Sequence, residues 1–146
     1  MIIKEFKEEK FKLVKPLYNY ILDNYLLENP DLQILELGVG FYFEMALKLK
    51  QNNYNITVMD FNQEAVLNAN YLGLDAFKDD LFNPNLKLYD SYDLMYSVRP
   101  PRDLQNDIAR IAKLNDCNLI IQPLSNETAL ESLKPVCYNG KILCKL

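Results

Sequence analysis

The sequence predicts an α/β fold of the doubly wound kind, a mostly parallel sheet with helices on both faces and a closing antiparallel hairpin. Three observations predict it. Short apolar runs bounded by turn residues alternate with stretches of helical periodicity through most of the 146 residues. The first run, Ile34-Leu35-Glu36-Leu37, leads directly into Gly38-Val39-Gly40 and then a helical stretch. Near the end, Asn139-Gly140 stands between two short strands and is a strong two-residue hairpin signal.

Each element follows from its residues. Phe11, Val14, Tyr18, Ile21, Leu22 and Tyr25 repeat at helical spacing, with Pro16 either starting or kinking that helix and Asn29-Pro30 stopping it. Leu32–Leu37 is a short buried strand. Met45, Ala46 and Leu49 mark a helix that Asn52-Asn53 breaks, and Ile56–Met59 is a second strand ended by Asp60. Residues 62–71 form a crossover helix closed by Gly73, and Ala76-Phe77 mark a third strand before Lys78-Asp79-Asp80. Leu94–Ser97 is a fourth strand. Pro100-Pro101 suits the first turn of a helix over residues 102–114, whose Leu104, Ile108 and Ile111 share one face. Asn118–Gln122 is a further strand ending at Pro123. Right-handed crossovers then give a Rossmann-like sheet. Residues 1–146 are expected to be one domain, with 1–30 a helical segment packed on the sheet.

Composition narrows the chemistry. No apolar run approaches the ~20 residues of a membrane span, and the N-terminus alternates Lys and Glu, so a cytoplasmic protein is expected. Net charge is −4, and residues 31–98 carry ten acids against four bases. That acidic middle argues against a nucleic-acid backbone as the main partner. The three cysteines, Cys117, Cys137 and Cys144, include no C-x-x-C pair, which disfavours a zinc knuckle or a disulfide framework and favours buried thiols. Histidine is absent, which removes the commonest general base and metal ligand. No metal site is expected.

In a doubly wound sheet, ligands bind beyond the carboxyl ends of the strands at the switch point. Gly38 and Gly40 stand there and allow backbone N–H groups to face a ligand. A dinucleotide fingerprint would need a third glycine at Phe43, and the methyltransferase form E/D-x-G-x-G-x-G would need it at Tyr42. Asp60 lies twenty residues after Gly40, where a carboxylate accepts ribose hydroxyls. Glu36 fits the position that orients the methionine part of S-adenosylmethionine, and Asp79 and Asp80 fit the place where an acid meets the adenine amino group. The competing reading of these acids is capping and solvation.

A second unusual stretch, Ser97-Val98-Arg99-Pro100-Pro101, follows the fourth strand, where substrate and cofactor meet in class I methyltransferases. Amino-methylating members place Asn or Asp before Pro-Pro; here Arg99 stands in that place. A guanidinium accepts no hydrogen bond, but it holds a carboxylate or phosphate bidentately. Arg99 is therefore read as an anion grip, with Ser97 a donor beside it. Asp93, at the other end of the strand, is read as structural.

These residues resemble an uncharacterised archaeal protein family of similar length with a class I methyltransferase-like Rossmann core. The resemblance is carried by Glu36–Gly40, Asp60, Asp79–Phe82, Tyr89, Asp93–Pro101, Leu104-Gln105, Leu119–Leu124 and Tyr138–Gly140. It implies the fold, and it implies S-adenosylmethionine as the cofactor. Gln122 stands where related members often place a base.

Three readings of function remain open at this point. The first is a methyltransferase or binder of S-adenosylmethionine acting on a small or anionic substrate. The second is a non-catalytic regulatory or interaction module, working as a homodimer along an edge or helix pair. The third is a nicotinamide nucleotide site, against which the missing third glycine weighs.

Overall fold

The computed structural model describes residues 7–124 and 129–146. Among these, seven strands form one sheet in the order β3-β2-β1-β4-β5-β7-β6. They are β1 (Gln33–Leu37), β2 (Asn55–Asp60), β3 (Asp75–Lys78), β4 (Leu94–Val98), β5 (Asn118–Gln122), β6 (Lys134–Tyr138) and β7 (Lys141–Lys145). The first five are parallel; β7 runs antiparallel to β5 and β6 antiparallel to β7. The chain thus starts in the middle, works out to β3, and returns to the other side of β1. The switch point lies between β1 and β4.

Helices cover both faces. Toward one face lie α1 (Glu8–Phe11), α2 (Lys15–Ile21), α3 (Glu44–Gln51) and α4 (Gln63–Tyr71), and toward the other α5 (Arg102–Leu114). Strand alternation separates two cores. Ile34, Val58, Tyr96, Ile120 and Leu143 pack with Phe11, Val14, Leu17, Met45 and Leu49. Leu35, Leu37, Met59, Met95, Leu119 and Ile121 pack with Ile108, Ile111 and Ala112 of α5.

The helices that feed strands end the same way. Asn53, Gly73 and Asp116 adopt φ of 66°, 88° and 49°. The next residue's N–H then returns to the third-last helical carbonyl: Tyr54 to Leu49 at 3.0 Å, Leu74 to Ala69 at 3.0 Å, Cys117 to Ala112 at 2.9 Å. This left-handed closure turns the chain straight into β2, β3 and β5. Asn62 caps α4, its side chain accepting from the Glu64 N–H at 2.9 Å.

The N-terminal helical pattern divides. Pro16 sits in the first turn of α2, and a separate short α1 precedes it. Beyond α2 the backbone widens into a π turn over Leu22–Leu26. Residues 1–6 of the expected helical segment lie outside the described residues; Phe11, Val14, Leu17 and Ile21 bury it against the sheet. A turn of 3₁₀ helix at Leu86–Tyr89, not expected from the sequence, carries the fully buried Tyr89. The hairpin closes on Asn139-Gly140 with Cys137 opposite Ile142 and Cys144 opposite Pro135. All three cysteines are free thiols, but Cys137 is exposed on the edge strand, which corrects the expectation that all are buried. Among the described residues, no helix is long and apolar enough to cross a membrane.

Candidate cofactor site

The loop after β1 meets the end of β2 through backbone hydrogen bonds. The Gly38 and Val39 N–H groups both donate to the Met59 carbonyl at 3.0 Å. Gly40 N–H donates to Asp60 Oδ2 at 2.7 Å, and Asn62 N–H to Asp60 Oδ1 at 2.9 Å. Asp60 therefore ties the glycine loop to the start of α4. Each of its oxygens still has acceptor capacity. Gly38 and Gly40 adopt φ of +69° and +57°, and a Cβ on either would meet nothing within 4 Å. The loop faces open space.

That space is a largely apolar cleft of about 310 Å³, lined by Gly38, Asp60, Phe61, Asp80, Leu81, Phe82 and Leu104. It lies at the carboxyl edge of β1, β2 and β3, and its volume is at the lower end for small-molecule sites. Phe61 and Phe82 are 65% and 58% exposed, which is unusual for aromatic rings. Lys78 Nζ stands 5.6 Å from the Phe61 ring centroid.

The two acids after β3 take different places. Asp80 lines the cleft, with Oδ1 accepting from the Phe82 N–H at 2.9 Å. Asp79 Oδ2 accepts from the Asn85 N–H at 3.0 Å and the Tyr89 hydroxyl at 2.7 Å. Asp79 thus braces the loop that presents Asp80 and Phe82. Burial, with Asp79 beside it, pushes the Tyr89 hydroxyl far above its ordinary range.

Glu36 lies apart from the cleft. It stands in a row with Val58, Tyr96 and Ile120 across four strands, facing the N-terminal helices. It is fully buried. Oε1 accepts from the Tyr96 hydroxyl at 2.6 Å, and Oε2 has no hydrogen-bond partner among the described residues. Burial pushes its carboxyl up to about 8; the Tyr96 hydrogen bond pulls it down and the charge of Asp60 adds to the rise. Tyr42 stands over this region, its hydroxyl donating to the Lys10 carbonyl. Burial first, then Glu44 and Glu36, push that hydroxyl up to about 12, with Arg99 opposing.

The β4 end also divides. Ser97 is buried, its hydroxyl donating to the Leu37 carbonyl at 2.7 Å, so it joins β4 to β1. Arg99 is exposed, at φ 50° and immediately before a proline, a strained backbone for such a residue. Its N–H donates to the Gln122 carbonyl at 2.6 Å. Gln122 is buried, and its Nε2 donates to the Leu13 carbonyl at 3.0 Å. At the other end of β4, Asp93 closes the β1 start, Oδ2 accepting from the Gln33 N–H at 2.8 Å. Among the described residues, no group of three His, Cys, Asp or Glu side chains could hold a metal ion.

The cleft thus gathers Gly38, Asp60 and Asp80 from the residues expected to bind a cofactor; Gly40 bonds to Asp60, Glu36 to Tyr96 and Asp79 to Tyr89, and neither Ser97 nor Arg99, expected at a substrate, is in its lining. Phe61 and Phe82 were not singled out from the sequence. Their signal was position, an aromatic directly after or two residues after an acid at a strand end.

The profile of the uncharacterised protein family UPF0146 matches residues 18–145. The chain belongs to this family. A member from Methanocaldococcus jannaschii is 46% identical over 79% of this chain and 83% of its own length, and one from Pyrococcus furiosus is 42% identical over 73% and 81%. Solved structures of similar fold include magnesium protoporphyrin IX methyltransferase from Synechocystis with bound S-adenosylmethionine. It matches at TM-score 0.60 and 15% identity over 94% of this UPF0146 chain and 77% of that one. A Pyrococcus horikoshii protein matches at TM-score 0.62 and 9% identity, over 79% of this chain but only 58% of its own length. At these identities the likeness shows the shared Rossmann-like, class I methyltransferase-like fold.

Proposed function

We propose that this UPF0146 protein, acting as a single unit over residues 1–146, binds S-adenosylmethionine and transfers its methyl group to a small anionic substrate. The observation that carries the reading is the cleft itself: open glycine backbone, Asp60, Asp80 and two exposed aromatic rings meet at the carboxyl edge of β1, β2 and β3. These groups fit a nucleoside. The ring faces of Phe61 and Phe82 suit a purine, Asp60 suits the ribose hydroxyls, and Asp80 suits an exocyclic amine.

S-adenosylmethionine supplies an electrophilic methyl group, so the chain's own task is alignment and exclusion of water. Arg99 grips the anionic substrate from the end of β4, its strained backbone setting the direction of approach. Isothermal titration with S-adenosylhomocysteine tests the reading. Micromolar binding, lost in Asp60→Ala while the variant stays folded, supports it; no heat from the folded wild type overturns it.

One observation favours a non-catalytic interaction module instead. The Glu36 side of the loop is closed by the chain's own Tyr42 and Lys10. That reading expects a homodimer whose stability ignores the cofactor. Sedimentation as a monomer at high concentration counts against it.

A further inference from the structure

The outer face of α4 breaks the pattern of a surface helix. Ala65, Val66 and Ala69 are buried, and the helix packs on β2 and β3. The opposite stripe of such a helix is ordinarily polar. Here Leu67 and Tyr71, one turn apart, are 55% and 50% exposed. With Glu64 and Asn68 they line an open hollow of about 280 Å³. These four residues stand at i, i+3, i+4 and i+7, the set that forms a hole for the apolar knob of a facing helix. The helix also lies along a margin of the molecule, because β3 is the terminal strand of the sheet.

The polar ends of the hollow point to what fills it. Among the described residues, the Glu64 carboxylate and the Tyr71 hydroxyl make no hydrogen bond or ion pair. One accepts and the other can donate, and both stand on the same stripe. A second α4 laid antiparallel, with the two-fold axis between Leu67 and Asn68, sets Glu64 of each copy opposite Tyr71 of the other. The two Leu67 side chains then meet at the centre. The two Glu64 carboxylates lie about 10 Å apart along the helices, at a rise of roughly 1.5 Å per residue. A parallel pair would instead set carboxylate against carboxylate. An unrelated helix would have to bring the donor and the acceptor in this order; a second copy does so by symmetry.

We propose that two copies of this chain pair through antiparallel α4 helices, Leu67 of each entering the hollow of the other. The contact removes two leucines and two tyrosine rings from water and closes two phenol–carboxylate hydrogen bonds per dimer. A helix of nine residues gives a contact at the lower end of specific interfaces, so the association is weak and concentration-dependent. None of the four residues lines the cofactor cleft, so pairing and ligand binding are separate events.

The test is sedimentation equilibrium of the full chain without ligand, from micromolar to millimolar concentration. The wild type should pass from monomer to dimer over that range. Leu67→Glu should stay monomeric throughout with an unchanged unfolding midpoint, because the side chain is half in water in the single chain. Tyr71→Phe should weaken the dimer several-fold, since each dimer loses two symmetric bonds. Leu67→Cys, in a Cys137→Ser background that removes the exposed native thiol, should form a disulfide dimer on mild oxidation. Arg110→Cys on α5, in the same background, should not. A wild type that stays monomeric at millimolar concentration, a dimer that Leu67→Glu leaves intact, or equal cross-linking of the two cysteine variants overturns the proposal. Each of these results leaves the cofactor reading standing, and failure of S-adenosylhomocysteine to bind leaves the dimer standing.

Discussion

The carboxyl edge of the sheet has two halves that differ in almost every physical respect. On the β2–β3 half, Gly38, Asp60, Phe61, Asp80 and Phe82 line an open cleft, and the aromatic rings stand in solvent. On the β1–β4–β5 half, Glu36, Tyr96 and Gln122 are buried on the face of the N-terminal segment, and Ser97 is buried on the α5 face, with hydrogen bonds to Leu37 and Leu13. Both halves hold polar side chains on strand ends. In the open half water stabilises them, so they can serve a ligand at little cost to folding. In the closed half every polar atom needs a partner, so the same residue types affect stability first. The two halves should therefore respond oppositely to mutation.

The largest effect should come from Glu36→Gln. Burial holds the Glu36 carboxyl near 8, against an ordinary 4.5. Between these values the folded chain keeps a proton that the unfolded chain gives up. Its contribution to stability is full below about 4.5 and is lost as pH rises to about 8. Glutamine carries no such loss, so the variant should gain stability relative to wild type by on the order of 4 kcal/mol between pH 5 and pH 8.5. Guanidinium unfolding at the two pH values measures it. A difference between the chains that is the same at both would remove Glu36 as a buried neutral acid.

Ser97→Ala comes next. The buried hydroxyl bond to Leu37 is lost and the carbonyl left short, at a cost of about 1–2 kcal/mol. Ligand affinity should not change. Unchanged stability with weakened ligand binding would move Ser97 back to the substrate. Gly38→Ala belongs to the open half and should cost about 1 kcal/mol, from backbone strain at φ +69° rather than crowding. Its methyl group would enter the cleft, so adenosine affinity should drop at least tenfold, by the logic of a closely approached backbone. A Gly38→Ala chain that binds as wild type would show that the loop only turns.

This asymmetry explains what the sequence disclosed. Strand and helix periodicity, the Asn52-Asn53 and Gly73 stops and the Asn139-Gly140 hairpin act locally, so the mostly parallel doubly wound sheet and its closing antiparallel hairpin were legible. The acids at strand ends were also legible by position. Which way each one points was not, because that depends on partners far along the chain. Tyr89 takes Asp79, and Tyr96, sixty residues on, takes Glu36. The strand period of two could have placed Glu36 on the same face as Ile34, toward the N-terminal helices, but the glycine motif drew it toward the ligand instead. Phe61 and Phe82 stayed hidden for the opposite reason: an aromatic residue is ordinarily assigned to a core.

The smallest stability effects should come from those two rings, and they are the sharpest probe of the open half. Phe61→Ala and Phe82→Ala each remove a side chain that is mostly in water, so unfolding should shift by no more than about 0.5 kcal/mol. Phe61→Ala should exceed that, by up to about 0.5–1 kcal/mol, since Lys78 also loses the ring face 5.6 Å from its ammonium. Adenosine binding should nonetheless weaken several-fold in both, because a base held between two ring faces loses one of them. If only one ring matters, the base lies against a single wall and Asp80 becomes the main determinant of its orientation. If neither matters, the cleft's aromatic rims face a different partner. A double variant separates the cases: two rings on one base should couple, so the double loss falls short of the sum of the singles, whereas rings on different groups should add.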